Sequence, residues 1–162
     1  FVTLGQNAMG TFRSSLFLPE QALIPVDRGE ELQTILGSAA AASLFQLGGT
    51  AYRMLHNFET LHEKSSVLQN AGNSGVGWMV SQLAAAQNIP VVSLVRRGNK
   101  TEDQFQQLVD HLTQHQTNTT RVVAEEDLMA NKDALKELQS TLRERPSRLA
   151  INAVGGRVLM YC

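Results

Sequence analysis

A glycine-bearing turn between a short extended segment and a helical pattern constrains the fold of this chain more than any other feature of its sequence. The turn at 71–75 reads Ala-Gly-Asn-Ser-Gly and follows the short extended segment 66–69. Apolar residues then recur at helical spacing from Val76 to Ala84, and the β-branched segment Pro90–Val95 comes next. Such a segment is typical of a strand buried in a parallel sheet. The order strand, turn, helix, strand predicts one βαβ unit of about 30 residues.

The remainder of the chain also alternates between helical and extended patterns. Helices are predicted at 39–47, 50–58, 101–115 and 127–145, with Gly48-Gly49 separating the first two, and further strands at 121–123 and 149–154. This alternation favours an α/β fold with a partial, doubly wound parallel sheet of the Rossmann type and right-handed crossovers. Residues 1–29 are different, extended and turn-like with a short strand at 22–24, so we expect a domain boundary between residues 29 and 30.

Composition and charge exclude several classes of protein. No apolar run reaches the ~20 residues that span a bilayer, so no membrane span is predicted. A formal net charge of -1 argues against a broad nucleic-acid surface. The single cysteine, Cys162, excludes an internal disulfide and a cysteine-rich zinc site. His111 and His115 have a spacing that can hold a metal on a helix. Their polar surroundings favour a solvated face instead, so no metal site is predicted.

The glycine turn is a candidate site for the phosphates of a dinucleotide. The first N–H groups of a helix have no intrahelical partner, so they form an anion site that the helix dipole reinforces. Glycines would supply positive φ angles and let the backbone approach a pyrophosphate. The order of glycines in 72–77 is G-x-x-G-x-G, which is not the commonest fingerprint. Taken alone, the turn leaves a purely structural role equally open.

Two arginines after the second predicted strand favour nucleotide binding. In dinucleotide-binding folds, the end of this strand reads the adenine ribose, and an acidic residue there selects NAD. Here the position holds Arg96-Arg97. Their planar guanidiniums suit a 2′-phosphate, which each can bind through two parallel hydrogen bonds. A solvated loop is the alternative if the pair is considered by itself. The sequence therefore predicts that the cofactor is NADPH rather than NADH. Two aromatic residues, Tyr52 and Trp78, are predicted to pack rather than to take part in catalysis or base stacking.

Four segments together resemble the mitochondrial trans-2-enoyl thioester reductases of the medium-chain dehydrogenase/reductase superfamily. They are Gly-Thr-Phe-Arg at 10–13, Thr-Ala-Tyr-Arg-Met-Leu at 50–55, Gln-Asn-Ala-Gly-Asn-Ser-Gly-Val-Gly at 69–77 and Leu-Ala-Ile-Asn-Ala-Val-Gly-Gly at 149–156. The resemblance implies an enzyme of mitochondrial fatty acid synthesis. Such an enzyme uses NADPH to reduce the 2,3 double bond of enoyl groups carried on acyl carrier protein or coenzyme A.

The resemblance also implies roles for individual residues. The cofactor would be held by Asn73, Ser74, Gly75, Val76 and Gly77 at the pyrophosphate, and by Arg96 and Arg97 at the 2′-phosphate. The family has Arg-Asp-Arg where this chain has Arg-Arg-Gly at 96–98, and an Asn where this chain has Leu47. No catalytic residue is predicted within the chain. The family's proton-donating tyrosine lies in an N-terminal GroES-like domain, of which residues 1–29 resemble the last strands.

The leading hypothesis is therefore the cofactor-binding part of an NADPH-dependent enoyl thioester reductase. Since only part of a six-stranded sheet is expected, an uncovered strand edge should promote homodimer formation or aggregation. A non-catalytic NADPH-binding fragment and an NADPH quinone reductase of the same superfamily are the alternatives. A serine hydrolase with Ser74 as nucleophile is disfavoured, because a nucleophile elbow needs glycine where this chain has Val76.

Overall fold

The computed structural model describes residues 15, 17, 19–22, 38–114 and 120–155, and it divides the chain into two units, residues 1–46 and 47–162. In the first unit, Glu20–Ala22 forms a single 3-10 turn. Ala22 is therefore not extended, and the rest of the strand predicted at 22–24 lies outside the described residues. The domain boundary predicted between residues 29 and 30 also lies outside them and stays a prediction, as does the GroES-like character of 1–29.

Helices and strands alternate along the described chain. In order they are α1 Ser38–His56, β1 Ser66–Asn70, α2 Gly75–Ala85, β2 Val91–Val95, α3 Glu102–Thr113, β3 Thr120–Ala124, α4 Glu125–Ala130, α5 Lys132–Glu144 and β4 Ser147–Ile151. The four strands form one sheet in the order β3-β2-β1-β4, and all three pairings are parallel. The predicted α/β fold with a Rossmann-like parallel sheet is confirmed.

Both faces of the sheet are covered, because successive residues of a strand point to opposite sides. On one face, Val67 and Val91 pack with residues of α1 and α2. On the other face, Leu68 and Val92 pack with Leu138 of α5. Strands β1 and β2 are buried at every position, as the apolar, β-branched sequence of β2 predicts for that strand. None of the described helices has the length and apolarity needed to cross a membrane.

Two predicted helix boundaries are wrong. The prediction divided α1 at Gly48-Gly49, but the helix continues through both glycines. Glycine costs roughly 1 kcal/mol in a helix, and the burial of Ala51 and Leu55 in the core offsets that cost. Conversely, the helix predicted at 127–145 is two helices, because Asn131 leaves the helical conformation and its side chain accepts a hydrogen bond from Asp133 N–H. That side chain caps the second helix.

Candidate nucleotide-binding site

The carboxyl ends of all four strands lie at one edge of the sheet, where open α/β sheets bind their ligands. The glycine turn follows β1 and the arginines follow β2. These strands are neighbours, with Asn70 paired to Leu94, and Gly72 N–H donates to Leu94 O over 3.3 Å. The two features on which the nucleotide prediction depends are therefore at the same edge of the sheet.

Close approach explains two of the glycines in the turn. A Cβ on Gly72 would lie 2.5 Å from Ser93 Cβ, and one on Gly77 would lie 2.6 Å from Ala71 O. The expectation that these glycines supply positive φ angles is wrong. The positive angle in the turn belongs to Ala71, at φ 50°, whereas the glycines with positive φ in the described part of the chain are Gly98 and Gly155. Position 72 needs glycine because β2 leaves no space for a side chain, and position 77 needs glycine because the turn itself leaves none.

Ser74 organises the helix N-terminus that faces this edge. It adopts an extended conformation as the N-cap of α2, and its Oγ accepts a hydrogen bond from Gly77 N–H over 3.1 Å. The N–H groups of Gly75 and Val76 begin the helix and have no acceptor within it. Asn73 and Gly75 are exposed, whereas Gly77 is buried. An anion at this turn would meet backbone N–H groups and the Ser74 hydroxyl, which can donate its own hydrogen while Oγ accepts.

Leu47 of α1 lies against the same turn. A Cβ on Gly75 would be 2.8 Å from Leu47 Cδ1 and 3.3 Å from Cδ2. Leu47 therefore places an apolar wall beside the first residue of α2, at the position where the resembling family has an Asn. A side chain that the sequence identified as a departure from the family is thus in contact with the predicted site.

Arg96 is anchored at one side of its guanidinium and exposed at the other. Its Nε–H donates to Glu125 Oε2 over 2.9 Å. The Arg96 side chain is 63% exposed, whereas that of Glu125 is only 5% exposed. This hydrogen bond and the charge of Glu125 raise the pKa of Arg96 above its usual value. Glu125 takes Nε–H of a side chain that is otherwise mostly exposed, so the terminal Nη groups are left to bind an anion through two parallel hydrogen bonds.

Arg97, predicted as an equal partner, has different surroundings. Its guanidinium pairs with Glu102 and Asp127 and lies 4.5 Å from the centroid of the Phe105 ring. The side chain is 24% exposed and lines a groove of about 320 Å³ along the outer strand β3. Its charge is already compensated by two carboxylates, so Arg97 contributes mainly to the structure of the turn. Its contact with a 2′-phosphate stays a prediction.

Glu126 closes the turn that carries both arginines. Its carboxylate accepts hydrogen bonds from Arg97 N–H over 3.0 Å and from Gly98 N–H over 3.1 Å. Burial opposes ionisation of this carboxyl, but the backbone hydrogen bonds outweigh burial and lower the pKa of Glu126 below its ordinary value of 4.5. The carboxylate therefore holds two amides that would otherwise be available to a bound anion.

The lowered pKa of Glu126 leads to a pH prediction. A carboxyl whose pKa is lower in the folded state stabilises the fold above its ordinary pKa, and this contribution is lost as the pH falls through the folded-state value. We expect the unfolding free energy of the wild-type chain to exceed that of Glu126→Gln at neutral pH. The difference should shrink below about pH 4.5. Denaturant titrations at several pH values measure it, and a difference independent of pH would contradict the assignment.

Two polar residues of β1, not singled out from the sequence, connect the site to its surroundings. The Nε2 group of buried Gln69 lies within hydrogen-bond distance of Gly77 O, Ser81 Oγ and Ser93 Oγ and shares its two hydrogens among them, which ties β1 to α2 and β2. Asn70 donates from Nδ2 to Asn152 Oδ1, and its Oδ1 accepts from Ala153 N–H; both distances are 2.7 Å. The sequence signal for these two residues was a pair of adjacent amide side chains at the end of a predicted strand. Such residues are usually hydrogen-bonded when buried.

The sequence also offered two aromatic residues and a histidine pair as weaker candidates for functional residues. Trp78 packs as predicted, stacked on His111 with 5.9 Å between ring centroids. Tyr52 was predicted to pack in the core, but this residue is 55% exposed and its ring stacks on that of His56. Within the described residues no group of His, Cys, Asp and Glu could hold a metal ion. His115 lies outside the described part of the chain.

Comparison with known proteins finds similarity to mitochondrial enoyl-[acyl-carrier-protein] reductases. The chain is 39% identical over 150 residues to the mitochondrial enoyl-[acyl-carrier-protein] reductase of Bos taurus, in an alignment covering 92% of this chain and 36% of the relative. The chain therefore spans about a third of the length of this curated relative. No protein-family model matches the chain.

Solved structures of enoyl thioester reductases are similar in fold. The Etr1p/NADP/crotonyl-CoA complex has a TM-score of 0.64 at 24% identity, over 76% of this chain and 33% of that one. The mitochondrial 2-enoyl thioester reductase Etr1p/Etr2p heterodimer from Candida tropicalis has a TM-score of 0.59 at 25% identity, over 71% of this chain and 30% of that one.

Proposed function

This chain is a relative of the mitochondrial enoyl-[acyl-carrier-protein] reductases of the medium-chain dehydrogenase/reductase superfamily, and we propose that it is the NADPH-binding part of such an enzyme. The observation that carries the proposal is the exposed side of the Arg96 guanidinium, beside a glycine turn that begins a helix. The first N–H groups of a helix suit a pyrophosphate, and a guanidinium suits a 2′-phosphate. When bound, NADPH would supply the hydride that reduces the enoyl double bond.

Each predicted cofactor residue has a task in this proposal. The turn residues Asn73, Ser74, Gly75 and Val76 bind the pyrophosphate through N–H groups and the Ser74 hydroxyl. Gly77 lets the helix start close to Ala71 and Gly72 of the turn, where only a hydrogen atom fits. Arg96 binds the 2′-phosphate, and Arg97 orders the turn that presents it. No proton donor is assigned within the chain, and we place that group in another part of the enzyme.

The substrate and setting of the whole enzyme belong to the same proposal. We expect a trans-2-enoyl thioester carried on acyl carrier protein or coenzyme A, a mitochondrial location, and a homodimer. Two similar proteins support this proposal: the Bos taurus relative is a mitochondrial enoyl-[acyl-carrier-protein] reductase, and the Etr1p structure is a complex with NADP and crotonyl-CoA. Sedimentation analysis measures the oligomeric state, and a monomer at every concentration would remove the homodimer from the proposal.

Fluorescence titration with NADPH and NADH tests the cofactor assignment. We expect the chain to bind NADPH at least tenfold more tightly than NADH, because a charge-assisted hydrogen-bonded contact contributes about 1.5–3 kcal/mol. Equal affinities would remove the 2′-phosphate site from the proposal. Adding crotonyl-CoA and following NADPH oxidation then tests turnover. Binding without oxidation is expected if the proton donor lies elsewhere in the enzyme, whereas oxidation would assign the complete reaction to this chain.

A further inference from the structure

Three consecutive acidic residues at the start of α4 hold the arginine turn in place. Glu125 accepts from Nε of Arg96, Glu126 accepts from the backbone N–H groups of Arg97 and Gly98, and Asp127 pairs with Arg97. The contacts form because β2 and β3 are neighbouring parallel strands with Val95 opposite Ala124. The ends of the two strands are therefore side by side at the edge that carries the predicted site.

Glu125 differs from the other two acidic residues in its burial. It is 4% exposed, whereas Glu126 and Asp127 are exposed. A buried carboxylate is costly unless it is paired. The partner of Glu125 is Arg96, whose own side chain is mostly exposed. A buried group therefore holds the inner side of a guanidinium whose outer side faces the exterior of the protein.

We propose that Glu125 is a positioning residue for cofactor specificity: by holding Nε–H of Arg96 it keeps both Nη groups presented to a 2′-phosphate. This inference rests on the proposed function, since it assigns the residue that orients the phosphate ligand of the same site. Glu125 itself has no contact with the cofactor in this proposal. Specificity for NADPH then depends on β3 and α4 as well as on the turn after β2.

Two effects of Glu125 on phosphate binding oppose each other, and two substitutions separate them. The negative charge of Glu125 repels a phosphate, and water screens this repulsion only in part because the carboxylate is buried. Both Glu125→Ala and Glu125→Gln remove this charge, so the repulsion cancels when the two variants are compared. An unanchored arginine side chain loses more rotational freedom on binding than an anchored one, which can weaken binding by up to about 30-fold. Glu125→Ala should therefore bind NADPH about tenfold more weakly than Glu125→Gln, which keeps the anchoring oxygen.

The test compares Glu125→Ala and Glu125→Gln in the whole chain, with NADPH and NADH titrated separately. Glu125→Ala is expected to bind NADPH about tenfold more weakly than Glu125→Gln, and the two variants should bind NADH equally. Glu125→Gln keeps an oxygen that accepts Nε–H and lacks the charge, so it should bind NADPH at least as tightly as the wild type. The matched control is Glu137→Ala, which removes the exposed partner of Arg121 and should change neither affinity. If Glu125 acted only as a competing charge, Glu125→Ala and Glu125→Gln would bind NADPH equally tightly, which would overturn the proposal.

A second measurement keeps the proposal testable if Glu125→Ala is poorly folded. In nitrogen-proton NMR spectra, the Arg96 Nε–H signal, assigned by its loss in Arg96→Lys, should exchange slowly in the wild type and in Glu125→Gln. Rapid exchange in the wild type would overturn the anchoring contact without reference to a cofactor. A failure of the proposed function is distinguishable, because then Arg96→Ala would leave NADPH affinity unchanged. If Arg96→Ala weakens NADPH binding but both Glu125 variants retain the wild-type preference for NADPH, only the role of Glu125 is wrong.

Discussion

Replacing Gly77 with alanine is expected to lower the free energy of unfolding by about 3 kcal/mol and to remove NADPH binding. The added Cβ would lie 2.6 Å from Ala71 O, 2.9 Å from Gly72 Cα and 3.0 Å from Gly72 O. All three atoms belong to the backbone, so no side chain can rotate out of the way. Either α2 moves away from β1 or the turn changes shape, and both changes displace the N–H groups that would bind the pyrophosphate.

The chain contains a matched control for this substitution. Gly49 lies within α1, and a Cβ there would have no atom within 4 Å. Gly49→Ala should therefore stabilise the chain by up to about 1 kcal/mol, because alanine is the better helix former. Denaturant unfolding measures both variants, and NADPH titration follows. A Gly77→Ala chain with wild-type stability and affinity would show that the close approach of α2 to the turn does not matter.

Arg96→Ala is expected to weaken NADPH binding about 30-fold while NADH binding changes little. The estimate corresponds to about 2 kcal/mol, within the range for hydrogen bonds to charged groups. The loss is confined to NADPH because NADH lacks the 2′-phosphate. Arg97→Ala should have a smaller effect on the ratio of the two affinities, because two carboxylates and the Phe105 ring already occupy its guanidinium.

Isothermal titration of both cofactors into each variant measures the two ratios. Arg121→Ala is the control, since Arg121 is an arginine of the outer strand that pairs with Glu137 and should leave both affinities unchanged. The most discriminating result is which of the two variants, Arg96→Ala or Arg97→Ala, reduces the preference for NADPH more. If Arg97→Ala reduces the preference for NADPH more than Arg96→Ala does, the exposed guanidinium is not the phosphate ligand.

Several parts of the fold could be predicted because they follow from short-range patterns. The sequence shows a short extended segment, an apolar stripe at helical spacing and a β-branched segment, and these correspond to β1, α2 and β2. The observed bounds of the three elements differ from the predicted ones by about one residue. Thr101 was predicted to begin the next helix, and it caps α3 through its side chain. The boundaries at Gly48-Gly49 and Asn131 were wrong. There, core packing and a local side-chain cap decided against the apparent pattern.

The candidate site was predicted in its position but not in its details. The glycine turn and Arg96 lie at neighbouring strand ends, as the βαβ interpretation required. The reason for glycine was mistaken, because Ala71 has the positive φ and Gly77 has the close contact. A glycine can be needed for its φ angle or because a neighbouring segment leaves no space for a side chain. The sequence shows a glycine in both cases, so the structure is needed to distinguish them.

By itself, the sequence determined that the chain forms a parallel α/β sheet with a glycine turn and two arginines at adjacent strand ends. Those features depend on apolar periodicity and turn residues within about 30 positions, as in any βαβ unit. Only the tertiary structure decided which arginine is available to a ligand. Glu125 and Asp127 reach Arg96 and Arg97 across the β2–β3 pairing, and the order and register of strands bring these charges together. No local pattern encodes that contact, because it depends on how separate segments pack.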